Sequence, residues 1–250
     1  MSNDPTQSAG AAPTPLLKAP RSRRTFLAGA GAAGLALAGT SLLDSPLVSA
    51  AGDPAKIKAI FTVARTAEQL AVTFYSNGLR HANQLRLDPE QRNQIHAALV
   101  EEQIHQQFFV ANGGDSLADT FSFPHGDDTF ENLQLFIETQ QQLEGVFDSA
   151  FLAAVREFAE MGEARKAQIA AQISCVESEH RALGRDIGGL EPADNWTYAP
   201  VLVAYVADAP QLVKDAGYLS PRPGNTYKYA PVQTGLGGIL YKDGPFSKRP

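Results

Sequence analysis

The 250-residue chain reads as all-α: a four-helix bundle with a long crossover between its second and third helices, then a short fifth helical segment and an irregular tail. Three observations predict this. Apolar residues recur at three- and four-residue steps over four long segments, the spacing that gathers them on one helix face. Capping and stopping residues separate those segments, at Asp88-Pro89, Asn112-Gly113-Gly114, Gly162 and Gly188-Gly189. Glu-x-x-His also occurs twice, at Glu102/His105 and Glu177/His180, with lone Glu68 and Glu144 lying 34 and 33 residues upstream, about one long helix plus a turn.

The first helix is expected over 54–87, where Ile57, Ile60, Phe61, Ala64, Ala71, Val72, Tyr75 and Leu79 form a stripe that includes Glu68. Asp88 caps the second, Pro89 suits its first turn, and Gln91 can complete a capping box. Ile95, Leu99, Glu102, His105 and Phe109 share one face of that helix. Glu101, turned about 100° from Glu102, is expected to face solvent. The loop 113–127 must cross the bundle end to end or pack over one end. Asp128 and Glu131 predict a capping box for the third helix, whose stripe runs Phe130, Leu133, Ile137, Gln140, Glu144, Phe147, Phe151, Val155 and Phe158. Met161-Gly162 ends it. The fourth carries Ile169, Ile173, Val176, Glu177, His180, Leu183 and Ile187 and stops at Gly188-Gly189.

A fifth segment is expected from Tyr198 to Ala207, interrupted by Pro210 and resumed to Tyr218. Its Val201, Leu202, Tyr205, Val206, Leu212 and Val213 would cover the bundle. Residues 219–250 have no helical period, but their tyrosines and the run Leu236–Tyr241 predict that this tail packs on the domain. It holds no phosphate loop, Ser/His/Asp set or Cys pair.

The first fifty residues differ in kind. Residues 1–20 are rich in Ala, Pro, Thr and Ser. Ser22-Arg23-Arg24-Thr25-Phe26-Leu27 then resembles a twin-arginine export motif, and an apolar stretch to Leu43 follows, diluted by four glycines. Val48-Ser49-Ala50 offers a small-residue cleavage site. The expected organisation is a cleaved signal over 1–50, a bundle over 51–190 and a C-terminal segment over 191–250. Export by the twin-arginine machinery to the periplasm or beyond follows, with no stable membrane insertion after cleavage. Loss of the leader leaves 17 basic and 25 acidic residues, a net charge of −8 with His neutral. That balance argues against nucleic acid as a partner. The single cysteine, Cys175, permits no internal disulfide. It sits about 200° around the helix from Glu177 and is expected to be an inert packing residue.

With 13 Glu and 5 His in the chain, a given His has Glu three positions earlier about one time in twenty by composition alone. Two such pairs with matched upstream Glu residues are hard to obtain by chance. All four Glu positions fall on inward faces among aliphatic and aromatic side chains. A buried carboxylate takes up a proton or finds a cation, and no Lys or Arg occupies these stripes at that level. Four carboxylates balance two divalent ions, with neutral imidazoles completing the shells. Carboxylate and imidazole suit iron or manganese. Glu68, Glu102, His105, Glu144, Glu177 and His180 are therefore the candidate metal and catalytic residues, for two iron ions or alternatively two manganese ions. Tyr75 is read as a core residue with a bonded hydroxyl in preference to a redox-active tyrosine beside the cluster. Gln140 and Gln141, one turn before Glu144, could bond a ligand residue but read more readily as helix-surface amides. His81, His96 and His125 read as surface or loop residues.

These six residues match one for one the ligand pattern of the ferritin-like superfamily, which the chain resembles over about residues 54–218. With its leader and added C-terminal segment, it is most similar to secreted ferritin-like proteins related to plant desiccation-associated proteins. The resemblance implies an exported dimetal oxidoreductase acting on O₂ or H₂O₂ with Fe(II) oxidation. A dimanganese catalase is the alternative enzyme, and a non-catalytic envelope stress protein the alternative from another class. Bacterioferritins, rubrerythrins and manganese catalases share the ligand motif, so it specifies the site and not the reaction. The chain lacks the rubredoxin-type cysteines of rubrerythrin. Its long tail argues against a closed cage and leaves a homodimer possible.

Overall fold

Helix α1 (Pro54–Arg80) starts where the Asp53 carboxylate accepts from the Ala55 amide and Pro54 takes the first turn. It stops earlier than its periodicity suggests, because residues 81–86 wind into turns and Arg86 adopts φ 57°. The computed structural model describes residues 52–235; the twin-arginine leader and the Leu236–Tyr241 run lie outside them. Helix α2 (Pro89–Ala111) has the expected capping box, with Gln91 N donating to Asp88 Oδ1 at 2.9 Å and Asp88 N to Gln91 Oε1 at 3.0 Å. It ends at Asn112, before Gly113 at φ 83°.

The connection 112–127 travels along α1 from its start toward its end. Asp115 pairs with Lys58 at 2.9 Å, the Leu117 amide donates to Thr66 Oγ1 at 3.0 Å, and the Phe123 ring lies 5.9 Å from Phe74. Gly114 permits the close start of this path, since a Cβ there would lie 2.7 Å from the Phe61 carbonyl oxygen. The loop is thus an end-to-end crossover. It delivers the chain to a short helix, α3 (Asp128–Glu131), and then to α4 (Leu133–Glu160). This corrects the expected cap. Asn132 is extended (φ −123°, ψ 116°), so the helix cannot run through it. Its side chain instead caps α4, accepting from Gln134 N at 2.9 Å. Phe130 leaves the α4 stripe and buries its ring against Phe74, Phe123 and Phe136.

Helix α5 (Ala164–Ile187) returns beside α4. Gly184 and Gly188 sit where Gln140 and Ile137 of α4 press in; a Cβ on Gly184 would lie 2.1 Å from Gln140 Oε1. Ring pairs Phe61–Phe158 at 5.7 Å and Phe74–Phe136 at 4.5 Å make α1 and α4 antiparallel neighbours. Two apolar clusters occupy the bundle. One is built on Leu70, Phe74, Tyr75, Phe136 and Leu143, the other on Ile60, Phe61, Phe109, Phe151 and Ile173. Between them lies a layer of buried acidic and polar side chains. Among the described residues, no helix is long and apolar enough to cross a membrane.

The C-terminal segment differs from its expected form. Only a 3-10 turn (Val206–Asp208) and a short α6 (Ala209–Asp215) are helical, and Pro210 opens α6 instead of interrupting it. Pro200 disfavours helix in the preceding stretch, and the amides of Leu202 and Val203 both donate to Ser149 Oγ, at 2.6 and 3.1 Å. Val203, Val206, Ala209 and Val213 are buried, whereas Tyr198, Val201, Leu202, Tyr205 and Leu212 are exposed. The described part of the tail does pack. Strand β2 (Tyr227–Lys228) pairs antiparallel with β1 (Thr120–Phe121) of the crossover. Asn225 clamps the two, accepting from Phe123 N at 2.9 Å and donating to Phe123 O at 2.8 Å. Asn225→Ala strands a buried amide and carbonyl and should cost about 2 kcal/mol. A lowered urea midpoint with an unchanged m-value checks this.

Candidate metal centre

Each long helix contributes to the buried layer: α1 gives Glu68, α2 Glu102 and His105, α4 Glu144, and α5 Glu177 and His180. The i, i+3 spacing within α2 and α5 turns each Glu and His to the same side. The six groups form two overlapping sets. Glu68, Glu102, His105 and Glu177 place one donor atom each within 4.8 Å of one another, as do Glu102, Glu144, Glu177 and His180. Glu102 and Glu177 belong to both. His105 Nδ1 lies 3.8, 3.5 and 3.7 Å from oxygens of Glu68, Glu102 and Glu177. His180 Nδ1 lies 3.0 Å from Glu102, 3.8 Å from Glu177 and 4.0 Å from Glu144.

The surrounding contacts revise several expectations. Glu101 keeps about a third of its side chain exposed (32%) but is not a free surface acid: its carboxylate accepts from His180 Nε2 at 2.8 Å. In a bundle each helix has a neighbour on both flanks of its inward face, so a 100° turn brings Glu101 onto α5. This bond directs Nδ1 of His180 into the layer. Gln140 is buried and not a surface amide; its Nε2 donates to the His180 carbonyl at 2.6 Å and to Tyr75 Oη at 3.2 Å. Gln141 donates to the Arg181 carbonyl at 2.9 Å. Tyr75 is a core residue with a bonded hydroxyl, and that hydroxyl donates to Glu144 of the layer itself. Cys175 is exposed, not packed, because its face of α5 is uncovered. His81 stacks on Phe130, His96 is half-buried and His125 lies exposed in the crossover; none joins the layer. Buried Asp148, which accepts from Ser174 and Ser178 Oγ at 2.5 and 2.6 Å, was not anticipated. Its position one turn beyond Glu144 on the same stripe was the available signal.

Burial, then the neighbouring carboxylates, pushes Glu68 and Glu144 well above the usual carboxylate range and raises Glu177. Burial acts the same way on Glu102, but bonds and charge from Glu68, His105 and His180 together outweigh it and hold that carboxyl low. Burial opposes charge on His180 too, yet Glu101 and Glu102 raise it well above its ordinary value. Tyr75 is pushed far up by burial and by Glu144, so the phenol keeps its proton and donates. Two unit charges of like sign 4 Å apart repel by about 4 kcal/mol at an effective dielectric of 20, so these carboxyls must be neutralised by protons or by bound cations. Even so, Glu68 Oε1, Glu102 Oε2, Glu144 Oε2, both Glu177 oxygens and His105 Nδ1 have no hydrogen-bond partner. Buried acceptors without donors fit a pair of cations.

The fold and the layer thus define a four-helix bundle with a buried carboxylate–histidine cluster that could bind metal. A family profile described as a ferritin-like domain matches residues 57–189, more than half of the chain and all six clustered residues. The chain belongs to that family. No curated protein and no solved structure matches it.

Outer contacts of a metal-binding His are worth on the order of 10–100-fold in affinity. Glu101→Gln should therefore weaken Mn(II) binding on the His180 side by about that factor and leave the His105 side unchanged, splitting the anaerobic calorimetric titration into two steps. The metal-free protein should also respond to pH with a defined sign. The raised carboxyls of Glu68, Glu144 and Glu177 contribute stability that is complete below the unfolded value of 4.5 and lost as pH rises through their folded values. His180 acts in the same direction above its unfolded 6.5; within the layer only the lowered Glu102 opposes, and its contribution is lost only as pH falls below 4.5. Stability without metal should thus fall as pH rises above the unfolded carboxylate value. Saturating Mn(II) should remove most of that slope in denaturation curves.

Proposed function

We propose that the protein is an exported dinuclear metal-carboxylate oxidoreductase that oxidises Fe(II) with O₂ or H₂O₂. One observation carries the reading: Glu102 and Glu177 belong to both four-residue donor sets. Two carboxylates common to two sets could serve both ions of a metal pair. Glu68 with His105 would complete one shell, and Glu144 with His180 the other. Four carboxylates neutralise two divalent ions, and this donor set suits iron or manganese. A bound pair supplies electrons two at a time and a Lewis-acidic seat for an oxygen species.

The chain's own residues do the rest. With metal bound, Glu101 would fix the tautomer of His180 by accepting its Nε2 proton. Tyr75 restrains one oxygen of Glu144 and leaves the other without a partner. The apolar clusters on either side exclude bulk water from the layer. Export through the twin-arginine route, which carries folded proteins, would let metal load before secretion. The Arg23-Arg24 motif with its following apolar stretch, and the Val48-Ser49-Ala50 site, support that localisation.

Elemental analysis of the natively exported chain, followed by anaerobic Fe(II) loading and addition of either oxidant, tests the reading. About two iron per chain, with Fe(II) oxidation on mixing, is expected. Two manganese with peroxide disproportionation would replace it with a catalase. Failure to retain either metal after reconstitution would contradict it in favour of a structural stress protein.

A further inference from the structure

The seam between α1 and α4 is lined by small residues: Ala64 and Ala67 face Ala150 and Ala154. Two apolar cavities result. The outer, about 40 Å³, lies in this seam beneath Val206, Ala209 and Val213 of the C-terminal segment. The inner, about 10 Å³, lies within the bundle. Ile60, Ala64, Phe151 and Ala154 line both, so the partition between them includes two methyl groups. The inner cavity also touches Phe109 and Ile173. Ala64, Phe109 and Ile173 each stand one helical turn from Glu68, His105 and Glu177 respectively.

Both spaces are dry by chemistry. Thr66 is the one polar side chain lining the outer cavity, and its hydroxyl already donates to the Thr62 carbonyl at 2.8 Å and accepts from Leu117 N at 3.0 Å. Lys166, beside the inner one, is paired with Glu163 at 2.6 Å. Water needs two to four polar partners to stay in such a space, and none is free. A small uncharged, apolar molecule needs none. Hydrated cations and H₂O₂ find nothing to bond here. They have another approach at His105, whose side chain is 13% exposed while the other five clustered residues are nearly closed.

We propose that these cavities are a gas-binding passage that brings dioxygen to the carboxylate layer from beneath the segment 206–213, separately from the polar edge at His105. The inference rests on the dimetal reading and makes dioxygen its oxidant. In the reaction served, O₂ takes one electron from each of two Fe(II) and two protons, and leaves as H₂O₂.

Xenon, apolar and electron-dense, probes the passage without any metal. Crystals of the full chain under xenon pressure should show an atom in the outer cavity, and Ala154→Leu should abolish it. In the iron-loaded protein, Ala154→Leu should slow oxidation by O₂ about tenfold while the H₂O₂ rate and metal content stay within about twofold. Ala150→Leu, at a half-buried position nearer the mouth, should act the same way should Ala154→Leu not fold. A wild-type cavity without xenon, or equal slowing of both oxidants, or unchanged O₂ oxidation after xenon is excluded, would overturn the passage. Failure to bind iron would instead remove the proposed function, and with it dioxygen as the cargo, even with xenon in place.

Discussion

Four carboxylates in one buried layer are the constraint around which the bundle is organised. Removing a single ion from water costs several kcal/mol after relaxation, and here Glu68, Glu102, Glu144 and Glu177 are brought together with all four buried. Protons relieve part of that cost, as the raised carboxyls indicate. Protons do not satisfy the oxygens that lack any donor. Two divalent cations would do both, neutralising the charge and filling the vacant lone pairs.

The rest of the fold holds that layer in register. The crossover anchors to successive turns of α1, and the tail locks the crossover through Asn225. Glycines in α5 let α4 approach until Gln140 reaches the His180 backbone. The two halves of the layer are not equivalent, although the ligands repeat. Glu101 precedes Glu102, but Val176 precedes Glu177. Consequently His180 gains a carboxylate partner while His105 gains none of that kind. Tyr75 and Gln140 also serve the His180 side. One half is therefore rigidly preset, and the other is more open to solvent.

Much of this was legible because helical period and ligand spacing are local properties. The stripe through Glu68, the Asp88/Gln91 box and the stops at Gly162 and Gly188-Gly189 depend on residues a few positions apart. What was not legible depends on long-range packing. Glu101 looks like a surface acid until α5 is placed beside it. Gln140 falls on the inward stripe, but its bond to the His180 backbone depends on the room that Gly184 leaves. Asn132 displaced the expected Asp128 cap because aromatic packing draws Phe130 away from the α4 stripe. Pro200 and the Ser149 hydroxyl together kept 198–205 out of a helix where apolar residues suggested one.

Anomalous diffraction from crystals of the chain equilibrated with Mn(II) or Fe(II) tests the central claim most directly. The account predicts two peaks inside the bundle, both touching Glu102 and Glu177, one beside His105 and the other beside His180. Peaks confined to surface carboxylates, or none at all with the four acids still buried and protonated, would contradict it.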